Sequence, residues 1–243
     1  MTEPLSKEHQ KLFDELKLYR RPISIAYNIV VDKIGITSIA NMMKNKGIIG
    51  TQDCPLICPG SGDGVTVRAL CEKIGTELKD VVCIDPAPYS YSGTERSKKL
   101  GGISPSYRCV PYYVLSNRRS VGHVNLLLDW PTDSSRDGRY DFYAILDLFP
   151  RKICILFDTL GGSGSDWLIS WIKRIPGIEE YGLQFNEDNE VPIDLFAKLP
   201  KYKCIGCISK IITQREFYET VPEHLEKYMN SCLSLTCLIL QRI

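Results

Sequence analysis

The stretch from residue 54 to residue 85 constrains the fold of this chain more than any other. An apolar run, PLIC at residues 55–58, leads directly into the glycine-rich turn PGSGDG. The next segment, VTVRALCEKIG, repeats its apolar residues at helical spacing, and VVCI then forms a second apolar run that ends at Asp85. The pattern predicts a strand, a tight turn, a helix and a second strand, which is the opening unit of a Rossmann-like parallel sheet.

The rest of the chain continues this alternation of strands and helices. Further strands are predicted at 110–115, at 125–128 ending in Asp129, at 152–157 ending in Asp158, and once or twice within 183–199. Helices are predicted at 5–19, 26–46, 140–149 and 167–175. The order predicts an α/β fold, with a Rossmann-like, mostly parallel sheet and helices on both faces. The expected division is N-terminal helices packing on the core (1–47), the Rossmann-like domain (48–200) and a small helical C-terminal appendage (201–243).

Charge and hydropathy exclude several classes of protein. Lys and Arg total 30 against 29 Asp and Glu, so the formal net charge of +1 provides no overall attraction to nucleic acid or anionic membranes. The N-terminal segment is charged, unlike a secretory signal, and no apolar run is long enough to cross a bilayer. We expect a soluble, cytoplasmic protein in which any polyanion site is a local patch.

The ten cysteines lie mostly in apolar, strand-like or helix-like runs. This placement is typical of reduced thiols in a cytosolic compartment. Cys204 and Cys207 form a CxxC pair, and Cys54 and Cys58 form a looser pair that falls in the first predicted strand. Strand alternation would send these sulfurs to both faces of the sheet, which argues against a four-cysteine zinc site. We predict no metal site.

The glycine turn and the acid that follows the second strand predict a nucleotide-cofactor site. Glycines let the backbone bend sharply out of the strand and let a ligand approach the helix N-terminus, while Asp85 can accept both ribose hydroxyls. The dinucleotide fingerprint requires a glycine where Val65 stands, so S-adenosylmethionine fits better than NAD. The predicted cofactor-binding residues are Gly60, Ser61, Gly62, Gly64 and Asp85. The alternative is a glycine-rich loop that merely borders a core strand.

Several short segments match one family. They are Arg21-Pro22, DKIGITSI at residues 32–39, the turn at 58–64 and HVNLLLDW at 123–130. In these segments the chain resembles the 2′-O-methyltransferase domain in the large polymerase proteins of nonsegmented negative-strand RNA viruses. The resemblance covers roughly residues 20–200. It implies a cap methyltransferase that binds S-adenosylmethionine and the capped 5′ end of RNA, beside other polymerase domains, in the host cytoplasm or the virion.

The resemblance also implies catalytic residues. That family uses a Lys-Asp-Lys-Glu tetrad on the ribose 2′-hydroxyl, in which the second lysine takes the proton. By position, Lys33 is the first lysine and Asp129 is the aspartate. Glu190 is the best match for the glutamate, with Glu187 next.

One member of the tetrad differs. Asp158 stands at the end of the fifth predicted strand, where the family has its second lysine. Lys152 begins the same strand and so would lie at the opposite edge of the sheet. Three outcomes remain open: an enzyme that draws its base from elsewhere, transfer to another atom such as guanine N7, and a non-catalytic module that binds S-adenosylmethionine or RNA. A guanine N7 acceptor needs positioning more than a general base.

Plainer roles compete for the same residues. Asp129 can serve as a helix N-cap after its strand, and Lys33 can point to solvent from an otherwise apolar helix. Four arginines flank the fourth predicted strand and form either a local RNA patch or ordinary solvated loops: Arg118, Arg119, Arg136 and Arg139.

A cysteine peptidase is the alternative from another class. His123, Asp158 and Cys207, or Cys204 in place of Cys207, occur in the order used by some peptidases of the ubiquitin-like-modifier type. Such an enzyme needs thiolate, imidazole and carboxylate in one cleft. Against it, the usual glutamine for the oxyanion hole is missing upstream of the cysteine, and the glycine turn would have no role.

Overall fold

The computed structural model describes residues 29–61, 64–84, 121–131, 140–160, 164, 166–185, 193–213 and 232–243. The strands in these residues are β1 (Leu56–Pro59), β2 (Val81–Ile84), β3 (Asn125–Asp129), β4 (Lys152–Asp158), β5 (Tyr202–Thr213) and β6 (Cys232–Arg242). They form one sheet in the order β2-β1-β3-β4-β6-β5. β1 to β4 are parallel to one another, whereas β6 runs antiparallel to both of its neighbours, β4 and β5.

The strand order reverses at β1. The chain passes from β1 to β2 on one side, and later returns to β3 on the other side of β1. In open α/β sheets, ligands bind outside the carboxyl ends of the strands at such a reversal. The topology therefore identifies the carboxyl ends of β1 and β3 as the place to look for a site.

Helices cover both faces of the sheet. They are α1 (Ile29–Ile34), α2 (Ile36–Asn45), α3 (Val65–Ile74), α4 (Tyr140–Leu148) and α5 (Asp166–Ile172). Leu127 and Leu156 belong to the core under α1, α2 and α3, whereas Leu128 and Ile155 belong to the core under α4 and α5. Adjacent residues of β3 and β4 thus point to opposite faces, and both faces are buried. This explains why these strands read as unbroken apolar runs.

These features confirm the predicted Rossmann-like α/β fold. The helix predicted across 26–46 is divided, because Gly35, with φ of 99°, separates α1 from α2. That φ is readily adopted only by glycine. Side chains of both helices belong to the core on one face of the sheet. No helix in the described part of the chain is long and apolar enough to cross a membrane.

The prediction of a helical C-terminal appendage is wrong for residues 201–213 and 232–243. These residues form β5 and β6, and β6 pairs with β4 along its whole length, from Lys152 to Asp158. The core of β6, from Ser234 to Leu240, is buried throughout. A short apolar run that is buried on both faces cannot be distinguished from a buried helix by periodicity alone.

The last strands therefore come later in the chain than expected. Within 183–199 the described residues contain no strand, and Ile193–Lys198 forms a 3-10 helix. The strand predicted at 110–115 lies outside the described residues.

Candidate functional site

The candidate site lies at the carboxyl edge of the parallel strands. Pro59 ends β1, Asp129 ends β3 and Asp158 ends β4. The predicted turn residues Gly60 and Ser61 follow directly after β1. Four of the predicted site residues therefore share one edge of the sheet.

The turn after β1 is tied to the end of β2. The Ile84 carbonyl accepts hydrogen bonds from the N–H groups of Gly60 at 2.6 Å and Ser61 at 3.2 Å. Gly60 and Gly64 have φ of 67° and 72°, which residues with side chains rarely adopt. Gly64 then precedes the first residue of α3. The first two amides of the turn are thus engaged by the protein, so Gly60 and Ser61 can meet a ligand only through their other atoms.

The Ser61 hydroxyl is the clearest sign of a ligand site. Ser61 is 5% exposed. Among the buried side-chain nitrogen and oxygen atoms of the described residues, its Oγ is the one without a hydrogen-bond partner. An unpaired buried hydroxyl costs about 1–3 kcal/mol, and such groups are rare in native proteins. An acceptor atom on a bound ligand would remove this cost.

The backbone is strained immediately after Asp129. Trp130 has φ of 53°, in the left-handed region that bulky residues avoid. Its N–H donates to the Leu156 carbonyl at 2.9 Å, so β4 still holds the chain at this point. The carbonyl of the next residue, Pro131, accepts a hydrogen bond from Gly164 at 2.7 Å. The Asp129 carboxylate, 9% exposed, is therefore held at the edge by a constrained segment.

Asp129 also affects the chemistry of the neighbouring strand. Burial raises the pKa of the Cys58 thiol well above its usual value, and the neighbouring Cys83, Cys71 and Asp129 raise it further. Cys58 and Cys83 lie opposite each other in β1 and β2. Cys58 is therefore a neutral core thiol rather than a nucleophile. Leu126 of β3 is in register with Ile57 of β1, so Asp129 lies level with Gly60, where the glycine turn begins.

Asp158 is part of the framework of this edge. It is 1% exposed, and its Oδ1 accepts hydrogen bonds from the N–H groups of Ser234 at 2.8 Å and Leu160 at 3.0 Å. The carboxylate thus closes the turn after β4 and holds the beginning of β6. A carboxylate with these two backbone donors has a structural role in the position where the resembling family has a catalytic lysine.

Lys33 lies level with the carboxyl edge of the sheet, but beside β5 rather than at the end of a parallel strand. Its carbonyl accepts a hydrogen bond from Lys210 Nζ at 3.4 Å. Lys210 pairs with Leu235, which pairs with Asp158, so the end of α1 lies level with the end of β4. The Lys33 Nζ lies 3.8 Å from a carboxylate oxygen of Asp32. The structure thus brings Lys33 to the predicted edge with its ammonium paired to its own neighbour.

The other predicted site residues lie outside the described residues. They are Gly62, Asp85, Glu187 and Glu190, together with Arg118, Arg119, Arg136 and Arg139. Their predicted roles stay predictions. Within the described ranges, no group of three or more His, Cys, Asp or Glu side chains is placed to hold a metal ion.

The cysteine-peptidase alternative is wrong. His123 precedes β3 by two residues, whereas Asp158 ends β4, and Asn125 is in register with Lys152. His123 and Asp158 are therefore eight residues apart along the strand direction, roughly 26 Å at about 3.3 Å per residue. Burial raises the pKa of the Cys207 thiol to about 12, which leaves it protonated at neutral pH. These three residues cannot meet in one cleft.

Sequence reasoning missed two features. One is the strained Trp130, for which the only local signal is the Asp-Trp-Pro sequence at the end of a strand. The other is a polar cavity at the amino edge of the sheet, whose lining comes from separate segments of the chain. No local motif marks such a cavity, because it depends on the register between strands.

Comparisons with known proteins give no close relative. No protein-family model matches the chain, and no curated protein matches its sequence. A SAM-dependent methyltransferase from Anabaena variabilis is similar in structure with 10% identity and a TM-score of 0.46, over 100% of this chain and 96% of that one. The YcgJ protein from Bacillus subtilis has 10% identity and a TM-score of 0.47, over 84% and 97% of the two chains.

A third similar structure is a putative sarcosine dimethylglycine methyltransferase from Galdieria sulphuraria. It has 11% identity and a TM-score of 0.46, over 97% of each chain. Similarity at this level carries no argument about activity. The fold assignment rests on the strand order and the two buried faces of the sheet.

Proposed function

We propose that this chain is an S-adenosylmethionine-binding, methyltransferase-like domain. The observation that carries the proposal is the buried, unpartnered hydroxyl of Ser61 in the glycine turn after β1. The strand order supports it, because an antiparallel strand inserted between the last two parallel strands is the arrangement of class I methyltransferase sheets. The turn lies beside the reversal point, where α/β sheets bind nucleotides.

The residues present fit this ligand. Ser61 Oγ can donate a hydrogen bond to an oxygen of the methionine part, and Gly60 has no side chain to obstruct the approach. Asp85, directly after β2, is the proposed acceptor for the ribose hydroxyls. When bound, S-adenosylmethionine supplies an electrophilic methyl group on a positively charged sulfur. The Asp129 carboxylate, close to the end of β1, favours a cationic group in this position.

The proposed acceptor is the capped 5′ end of RNA, as the family resemblance implies. Two residues of that resemblance, Lys33 and Asp129, lie at the same edge of the sheet. Asp158, which accepts two backbone hydrogen bonds, cannot take the proton of a ribose hydroxyl as a lysine would. Guanine N7 has no proton to lose, so its methylation depends on positioning. We therefore place cap guanine N7 ahead of the ribose 2′-oxygen.

A non-catalytic binding module is the second candidate. It is favoured by Asp158, because its two backbone hydrogen bonds give it a structural role where the family requires a base. Such a module would keep the glycine turn and the Ser61 hydroxyl, and would therefore still bind S-adenosylmethionine.

Calorimetry and a transfer assay separate these possibilities. S-adenosylmethionine and S-adenosylhomocysteine should bind, whereas NADH should not. Radiolabelled methyl transfer to capped RNA, measured at saturating S-adenosylmethionine, should then fall at least about tenfold in Asp129→Asn, in which loss of the carboxylate also weakens S-adenosylmethionine binding. The matched control is Glu180→Gln, an exposed carboxylate distant from this edge. Failure to bind S-adenosylmethionine would refute the proposal, and binding without any transfer would favour the binding module.

A further inference from the structure

A separate cavity lies at the amino edge of the sheet, opposite the candidate site. Its volume is about 470 Å³. Three lining residues come from one row across the sheet, because Asn125 of β3 pairs with Lys152 of β4, and Lys152 pairs with Gln241 of β6. Residues two positions further along these strands belong to the core under α1, α2 and α3. This row therefore lies on the same face of the sheet, beyond the end of its apolar core, and its side chains are polar or charged.

Two polar groups of this row, those of Asn125 and Lys152, are held in place by backbone carbonyls. The side-chain amide of Asn125 donates to the carbonyl oxygens of Ile49 at 3.0 Å and Gly47 at 3.4 Å. Lys152 Nζ donates to the Lys46 carbonyl at 2.6 Å. Gly47 has φ of 67°, and a Cβ at this position would lie 2.8 Å from Lys152 Nζ. A glycine is therefore needed for the ammonium group to reach this position.

Three of the residues that line the cavity are cationic. They are Arg151, Lys152 and Arg242. Arg242 is fixed by hydrogen bonds from its guanidinium to the carbonyls of Phe149 at 2.5 Å and Gly122 at 3.1 Å. None of the described lining residues is acidic. Like charges gathered in a cavity without a counter-ion repel one another, and an anionic ligand would relieve this repulsion.

The donors left over suit a phosphate group. An ammonium has three donors and a guanidinium five, so Lys152 and Arg242 keep free donors after their bonds to carbonyls. The Arg151 side chain is exposed at the rim and is free to close over a ligand. Guanidinium groups match phosphate oxygens in pairs. The volume lies in the range of small-molecule sites, and the amides of Asn125 and Gln241 add neutral hydrogen-bonding groups for the rest of the ligand.

We propose that this cavity binds a free nucleotide through its phosphate groups. The phosphates contact Arg151, Lys152 and Arg242. The site is separate from the proposed S-adenosylmethionine site, since the two lie at opposite ends of β3. Its ligand also differs in charge, because S-adenosylmethionine carries a cationic sulfonium and no phosphate.

The test is calorimetry at low salt with GDP, inorganic pyrophosphate and guanosine as probes. GDP and pyrophosphate should bind, and guanosine should bind at least about tenfold more weakly, because it lacks the phosphates. Arg151→Gln should weaken GDP binding about tenfold, as expected for one charged hydrogen-bonding group. The matched control is Lys210→Gln, which removes one exposed positive charge from β5 at the carboxyl edge, the opposite end of the sheet from the cavity. It should leave GDP affinity unchanged.

Three results would overturn the proposal. One is equal GDP affinity in wild type and Arg151→Gln, and another is displacement of GDP by S-adenosylhomocysteine. The third is a ten-nucleotide RNA that binds about tenfold more tightly than GDP and depends on Arg151, which would assign the cavity to RNA. Thermal unfolding verifies that Arg151→Gln is folded. Lys152→Gln provides a second variant, with the same expected direction.

Discussion

The two edges of the sheet differ in charge and in how their polar groups are satisfied. At the carboxyl edge, Asp129 and Asp158 end two strands, and the Ser61 hydroxyl is buried without a partner in the described residues. At the amino edge, Lys152 and Arg242 donate hydrogen bonds to backbone carbonyls. The first edge presents carboxylates and an unsatisfied donor, whereas the second presents cations in a defined cavity.

This difference indicates that the scaffold can serve two ligands of opposite charge. The two edges are separated by the length of β3, which is five residues, or roughly 17 Å at about 3.3 Å per residue. A cationic sulfonium suits the carboxyl edge, and a phosphate suits the amino edge. Among the described residues, each edge has one non-glycine residue with positive φ, Trp130 at the first and Phe149 at the second, as expected where loops position functional groups.

The largest expected effect concerns the acid that we assign to the framework of the carboxyl edge. Asp158→Ala should lower the free energy of unfolding by about 3 kcal/mol, because the buried N–H groups of Ser234 and Leu160 lose their acceptor. Asp158→Asn, which keeps one carbonyl oxygen, should recover about half of that loss. Urea unfolding measures both, and Glu180→Ala, at an exposed position, should change stability by less than about 0.5 kcal/mol. A loss under about 1 kcal/mol in Asp158→Ala would make Asp158 available for catalysis.

Two cysteines that lie four residues apart in the sequence allow the two edges to be compared directly by thiol labelling. Cys54 lines the amino-edge cavity and is partly exposed, whereas Cys58 is fully buried near the carboxyl end of β1. A maleimide should label Cys54 at least about 100-fold faster, because Cys58 reacts only when the structure opens. Peptide mass spectrometry of the native protein measures both rates. Comparable rates would contradict the assigned burial of β1.

The same labelling experiment examines the independence of the two sites. Pyrophosphate should slow the labelling of Cys54, whereas S-adenosylmethionine should not. The exposed Cys232 is the internal control and should be unaffected by either ligand.

A smaller effect is expected from the glycine beside Lys152. Gly47→Ala should cost about 1 kcal/mol of stability through its positive φ, and should also displace the Lys152 ammonium. Gly75→Ala is a matched control, since Gly75 has φ of 80° and a Cβ added there would have nothing within 4 Å. Both variants should lose similar stability by thermal unfolding, but only Gly47→Ala should weaken pyrophosphate binding, about threefold. Equal pyrophosphate affinity in the two variants would exclude Lys152 from the cavity's binding groups.

Much of the fold could be predicted because its first strands are short apolar runs bounded by turn residues. β1, β2, β3 and β4 lie within about one residue of their predicted positions. β6 could not be recognised, because an apolar run buried on both faces has no period that separates strand from helix. This error hid the role of Asp158, whose carboxylate receives a hydrogen bond from Ser234 at the beginning of β6.

The sequence predicts which turn residues follow β1 but not the interactions that they make. The glycine turn predicts Gly60 and Ser61, yet the sequence does not indicate that Ile84 engages their amides. Nor does it indicate that the Ser61 hydroxyl is left without a partner, since this depends on packing around the turn. The amino-edge cavity depends on register across three strands, which short-range patterns do not encode.

The variant Ser61→Ala tests the assignment of the glycine turn to S-adenosylmethionine most directly. It is measured for two free energies, that of unfolding and that of S-adenosylmethionine binding. Removing the unpartnered hydroxyl should leave the stability of the free protein unchanged, or raise it by about 0.5 kcal/mol, because no hydrogen bond is lost. The same change should weaken S-adenosylmethionine binding about fivefold, since the ligand loses one hydrogen bond. Ser209→Ala, on the exposed part of β5, should alter neither quantity. Calorimetric affinity equal to that of the wild type, or a stability loss above about 1 kcal/mol, would contradict the assignment of Ser61 to the ligand site.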